Sequence, residues 1–167
     1  SARLADGTAK CWGYNGSGQL GDGTTATRST PVAVTGLSGV VGIGAGYAHS
    51  CALLADGQSK CWGDNAYGQL GNGNTSTSIA NGYVATLQNA VEIATSFDDN
   101  YSCALLSDGS AKCWGYNTNG SLGDGTATTR NLPVSVSGLA NATHVSTGRL
   151  HTCALLADGS AKCWGLN

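Results

Sequence analysis

No window of the chain repeats its apolar residues every three to four positions over the ten or more residues that a helix needs. What recurs instead are short apolar runs: Pro31-Val32-Ala33-Val34 and Val40-Val41-Gly42-Ile43, then Pro133-Val134-Ser135-Val136 and Thr143-His144-Val145. Runs of this length, bounded by Gly, Asn and Ser, read as strands. Between them lie pairs such as Cys51-Ala52-Leu53-Leu54 and Ser59-Lys60-Cys61-Trp62, joined by Ala55-Asp56-Gly57. A three-residue loop ending in glycine makes a hairpin, because glycine takes the left-handed conformation after a type I turn. The pattern predicts an all-β chain of short antiparallel strands with almost no helix.

The hairpin is repeated. CALLADGQSKCWG from Cys51 returns as CALLSDGSAKCWG from Cys103 and as CALLADGSAKCWG from Cys153, while SARLADGTAKCWG opens the chain with Ser1 in place of a cysteine. The second cysteines, Cys11, Cys61, Cys113 and Cys163, recur at 50, 52 and 50 residues. The 167 residues therefore divide into repeats 1–50, 51–102 and 103–152 and a partial fourth, 153–167, forming one repeat unit. Four strands per period of about fifty describe a propeller blade. Three and a third repeats are fewer than close a ring, so part of a larger ring is expected.

Counting back from the loop sets Leu53 opposite Ser59, Ala52 opposite Lys60 and Cys51 opposite Cys61, a non-hydrogen-bonded pair with close side chains. Cross-strand disulfides are expected for Cys51–Cys61, Cys103–Cys113 and Cys153–Cys163, leaving Cys11 unpaired. A ten-residue spacing is neither a zinc nor a redox C-x-x-C signature. Three bridges imply an oxidising compartment, secreted or at the cell surface. No targeting signal is visible in the first residues.

Composition narrows the function classes. Eight basic and ten acidic residues, 11% charged in all with a net charge of −2, carry no footprint for nucleic acid or an anionic membrane. No apolar run is long enough to suggest membrane insertion. The 26 glycines follow no three-residue rule, which excludes collagen.

Two motifs carry a resemblance. G-x-x-H-[ST]-x-A-L-x-x-D-G is read from Gly46, His49, Ser50, Ala52, Leu53, Asp56 and Gly57, and W-G-x-N-x-x-G-x-L-G-x-G from Trp62, Gly63, Asn65, Gly68, Leu70, Gly71 and Gly73. Together they resemble the regulator of chromosome condensation repeat, in its cysteine-bearing bacterial form. The resemblance implies a β-propeller of four-stranded blades, with seven the usual number; the ring and its count come from the family alone. It also implies, as one alternative, guanine nucleotide exchange on a small GTPase.

Residues able to carry chemistry mostly read as structural. His49 and His151 share one repeat position, where a polar side chain would satisfy loop groups, and His144 is a lone strand histidine. Asp6, Asp56, Asp108 and Asp158 suit the hairpin turns. Lys60 and its equivalents are expected to lay their stems near the tryptophans. The glycine-rich runs lack the lysine and helix of a phosphate loop, and Asn117 to Asp124 holds too few acids for calcium. No catalytic residue, metal or cofactor is expected.

The middle repeat departs from its neighbours. It places nine residues between Ile93 and Cys103 where the first places seven between Ile43 and Cys51, and it carries Ile79-Ala80-Asn81-Gly82-Tyr83 in place of a proline strand. Variable loops are where specificity sits. The expected function is a non-enzymatic module binding a protein partner through Phe97, Asp98, Asp99, Asn100, Tyr101, Tyr47 and Arg149. Self-association into a ring or filament is the remaining alternative.

Overall fold

The computed structural model describes all 167 residues as fourteen strands in four antiparallel sheets. The first sheet holds β1 (Ala2–Arg3), β2 (Ala9–Gly13) and β3 (Arg28–Ala33). The second holds β4 (Val40–Ala45), β5 (His49–Leu54), β6 (Ser59–Gly63) and β7 (Ser78–Tyr83). The third holds β8 (Ala90–Thr95), β9 (Tyr101–Leu106), β10 (Ala111–Gly115) and β11 (Arg130–Ser135). The fourth holds β12 (Ala142–Thr147), β13 (His151–Leu156) and β14 (Ala161–Gly165). Each sheet is a meander; the second, third and fourth open with the strand that precedes the cysteine hairpin, so sheets and sequence period are out of phase, while the first begins within its hairpin at β1.

Strands β4, β8 and β12 pack on one another, so the blades fan out from a shared inner edge and leave β3, β7 and β11 at the rim. The hairpin follows the predicted register: Cys51 faces Cys61 and Leu53 faces Ser59. Gly57, at φ +78°, donates its N–H to Leu54. The turn aspartates behave as expected. Asp108 Oδ1 accepts the Ser110 hydroxyl at 2.6 Å and its N–H at 2.9 Å, and these bonds hold its carboxyl below the ordinary range.

Side chains alternate across each strand, so every hairpin divides its residues between two seams. Ala52, Leu54 and Trp62 join Cys11, Leu20 and Val34 of the first blade in one apolar cluster. Cys51, Leu53 and Cys61 face the other way, with Ala104 and Trp114 of the third blade. The core is thus a series of seams, and both faces of the inner sheets are buried. Disulfides join Cys51–Cys61, Cys103–Cys113 and Cys153–Cys163 at Cα–Cα distances of 4.1, 4.0 and 4.1 Å. Cys11 is buried against the Ser1 hydroxyl at 2.7 Å, and burial pushes its thiol up. A buried, protonated thiol is inert.

The lysine expectation is corrected. Lys60 lies over the ring of Tyr83, directly across the sheet, at 4.7 Å, while the Trp62 indole turns away into the seam with the first blade.

Candidate functional site

The long loop after each hairpin is organised by one buried asparagine. Asn65 Oδ1 accepts the Leu70 N–H at 3.0 Å, and its Nδ2 donates to the carbonyls of Asn74 and Ser76 at 3.0 and 3.1 Å. Asn15 and Asn117 do the same. The loop thereby presents one carbonyl to the following blade. The Gln69 carbonyl accepts Trp114 Nε1 at 2.9 Å and the Ser102 hydroxyl at 3.3 Å. The Gln19 carbonyl receives Trp62 and Ser50, and that of Ser121 receives Trp164 and Thr152. Gly71 takes φ +66°, and a Cβ there would stand 2.8 Å from the Trp114 indole nitrogen. Glycine serves here for its conformation and for the close approach of the ring.

A second contact crosses each seam from the position two residues before the first hairpin cysteine. His49 is fully buried, with Nε2 2.9 Å from the Ser102 hydroxyl. Since that hydroxyl donates to the Gln69 carbonyl, His49 carries its proton on Nε2, and Nδ1 has no partner. Burial lowers its pKa from 6.5 to about 4, against a smaller opposing pull from Asp64. This serine–histidine contact is sealed between sheets.

In the third blade Tyr101 stands where His49 stands in the second. It was expected among the partner contacts, and the structure corrects this: Tyr101 is fully buried and donates to the His151 carbonyl at 2.6 Å, with the Gly148 carbonyl at 3.1 Å. Burial pushes its phenol up to about 12. Both residues stand two before the first hairpin cysteine, Cys51 or Cys103, and the insertion of the third repeat lies before that position.

The other predicted contacts lie on one face. Because His49 pairs with Gly63, the loop entering β5 and the loop leaving β6 share the same end of the blade, opposite the hairpin turns. On that end the Tyr47 N–H donates to the Ser96 carbonyl at 3.3 Å, and the Ser96 hydroxyl donates to the Gly148 carbonyl at 2.8 Å, tying three entry loops together. Phe97 is 79% exposed and Tyr47 67%. Arg149 Nε lies 3.1 Å from Asp98 in an exposed pair. Asp99 and Asn100 serve the loop itself. Asp99 accepts the Asn100 N–H at 2.8 Å, and Asn100 Oδ1 accepts Gln69 Nε2 at 3.1 Å. Burial raises the Asp99 carboxyl, with Asp98 adding to it and the Asn100 N–H and Arg149 opposing.

Sequence reasoning missed two groups. Tyr67 and Tyr116 meet edge to face at 5.0 Å in the glycine-rich loops of the same end; the variable residues of those loops were the available signal. His144, read as a lone strand residue, pairs with Glu92 at 2.6 Å across the inner edge, and Glu92 also accepts the Val145 N–H at 3.0 Å.

A family model described as the regulator of chromosome condensation (RCC1) repeat matches residues 6–53 and 108–155, more than half of the chain, and a second model of that repeat matches 40–69. The chain belongs to this family. Solved structures align with it along nearly its whole length. Human WBSCR16 does so at 24% identity and a TM-score of 0.81, covering 96% of this chain and 43% of its own. Prp20p of Saccharomyces cerevisiae, described with its binding to Gsp1p and histones, aligns at 24% and 0.81, covering 95% and 41%. Yeast RCC1 (Prp20) bound to Kap60 gives 24% and 0.79. These likenesses establish the fold as RCC1-type β-propeller blades. This chain spans about two fifths of the length of those proteins.

Proposed function

We propose that this RCC1-repeat chain is a non-catalytic protein-binding module. Its contact surface is the loop end that carries Tyr47, Phe97, Asp98 and Arg149. The observation behind this reading is Phe97, a large ring held 79% exposed at the tip of the one extended entry loop. A charge of each sign stands beside it in Asp98 and Arg149. Exposed aromatic and arginine side chains on a rigid scaffold are what protein interfaces use as anchors. The blades belong to a larger ring, of seven by analogy with the family, and the three disulfides support an oxidising, secreted or surface location.

The test uses the chain as bait, with Phe97→Ala/Arg149→Glu as control. The reading requires a specific partner that the wild type binds and the variant loses, with equal unfolding midpoints. A partner retained by the variant refutes the site. The second reading, nucleotide exchange, is favoured by the likeness to Prp20p, described with its binding to Gsp1p. It predicts accelerated nucleotide release from a small GTPase, and an unchanged release rate removes it.

A further inference from the structure

The rim strands expose half of their backbone groups to solvent, and an open edge is a template for another strand. In β3 and β11 that edge is closed. Pro31 and Pro133 each precede the valine that lies across from Cys11 or Cys113. Val34 and Val136 donate their N–H inward, to Ala9 and Ala111, so alternation turns the proline nitrogens outward. Proline there removes no ladder bond and denies a donor to any incoming strand. In β11 the outward carbonyl of Asn131 is also taken, by the Gly73 N–H at 2.9 Å, and Asn131 Nδ2 donates back to the Gly73 carbonyl at 3.0 Å.

Strand β7 lacks both devices. Gly82 lies across from Cys61, so Asn81 holds the proline position and Ile79 that of Asn131. Val84 donates inward to Ser59 at 2.9 Å, which turns Tyr83 and Asn81 outward, and beyond a register shift Ser78 lies across from Gly63, which turns Ile79 outward as well. Nothing within the chain bonds their outward backbone groups. The strand is nevertheless held firmly. Ile79 packs on Gly18 of the first blade, Asn81 Nδ2 donates to the Thr35 carbonyl at 2.6 Å, and Tyr83 lies beneath Lys60. Ile79 and Tyr83 remain 43% and 55% exposed.

We infer that β7 is a self-pairing edge, where a second copy of this chain adds its own β7 antiparallel about a two-fold axis at Asn81. The spacing of the strand is self-complementary. With Asn81 opposite its equivalent, Ile79 of each copy faces Tyr83 of the other, a favourable β-branched–aromatic cross-strand pair made twice. These are the residues whose backbone groups turn outward, so the pairing forms roughly six N–H···O=C bonds and a continuous sheet through both blades. The interface is isologous and closes at two copies. It is smaller than a stable dimer requires, so association is weak and depends on concentration. The strand begins beside the loop end, where Ser78 pairs with Gly63 and Ile79 packs on Gly18, but the pairing uses none of Tyr47, Phe97, Asp98 or Arg149.

Sedimentation equilibrium of the full chain from about 10 µM to about 1 mM tests it, with a dissociation constant expected within that range. Asn81→Pro, the residue the two other rim strands carry, weakens the dimer by about tenfold or more, while losing the Asn81–Thr35 bond lowers the unfolding midpoint of the monomer only slightly. Tyr83→Glu, which places a charge on the edge beside Lys60, does the same and decides the matter if the proline variant fails to fold. Amide exchange at Ile79, Asn81 and Tyr83 slows with concentration in the wild type alone. A wild type that stays monomeric at about 1 mM overturns the inference. So does a dimer that survives both substitutions, since its contact then lies elsewhere. Edge amides protected only on adding an unrelated extended peptide assign the edge to a different partner and overturn self-pairing.

Discussion

His49 ties the stability of the second seam to pH. The imidazole is fully buried, and its pKa falls from 6.5 to about 4 because burial disfavours the charged ring. Below pH 6.5 the unfolded chain takes up a proton that the folded chain refuses until about pH 4. Stability is therefore complete above the unfolded pKa and declines as the pH falls through this window. At about 1.4 kcal/mol per pH unit the full loss is about 3 kcal/mol, of which about 2 kcal/mol is gone by pH 5. Urea unfolding of the wild type and of His49→Gln at about pH 7, 6 and 5 measures it. Glutamine keeps a donor for Ser102 and does not titrate, so its cost is constant with pH, and the carboxylates common to both proteins cancel in the difference. The gap between the two proteins should narrow by about 2 kcal/mol from pH 7 to 5. Curves that stay parallel within about 0.5 kcal/mol refute the reasoning.

Trp114→Phe leaves the Gln69 carbonyl with only the longer Ser102 bond, and should lower unfolding stability by about 1–3 kcal/mol. Trp62→Phe should lose less, because Ser50 still reaches the Gln19 carbonyl at 2.8 Å. Gly71→Ala should cost about 2 kcal/mol or more in thermal unfolding, combining left-handed strain with a clash against the Trp114 indole. Gly23→Ala, at φ +80° with nothing within 4 Å, should cost about 1 kcal/mol. Intact mass without reductant should be six hydrogens below the fully reduced value, with Cys11 alkylated only after unfolding. Reduction should lower stability by at most about 3 kcal/mol per bridge.

Strands, hairpin register and disulfide pairs were legible because they follow from two-residue alternation and a glycine at a fixed place, all within ten or so residues. What lay across a seam was not legible. His49 meets Ser102, Tyr101 meets the His151 carbonyl and Glu92 meets His144, each about fifty residues apart in the chain. The expected Lys60 contact failed for a related reason: the nearest aromatic ring belonged to the neighbouring rim strand, not to Trp62. At the loop end, the inserted segment drew attention to one loop. It did not separate Phe97, which faces solvent, from Tyr101, which faces the next blade.

The doubly bonded carbonyl at Gln19, Gln69 and Ser121 gives the stack a direction. At every seam the earlier blade supplies the acceptor loop and the later one supplies the indole and hydroxyl, never the reverse. Each loop is fully satisfied only once its successor has docked, so order passes between nearest neighbours, as in a one-dimensional array. Whole blades can then be gained or lost without altering the chemistry of the seams that remain. Damage to one indole weakens a single joint and leaves the rest of the stack intact.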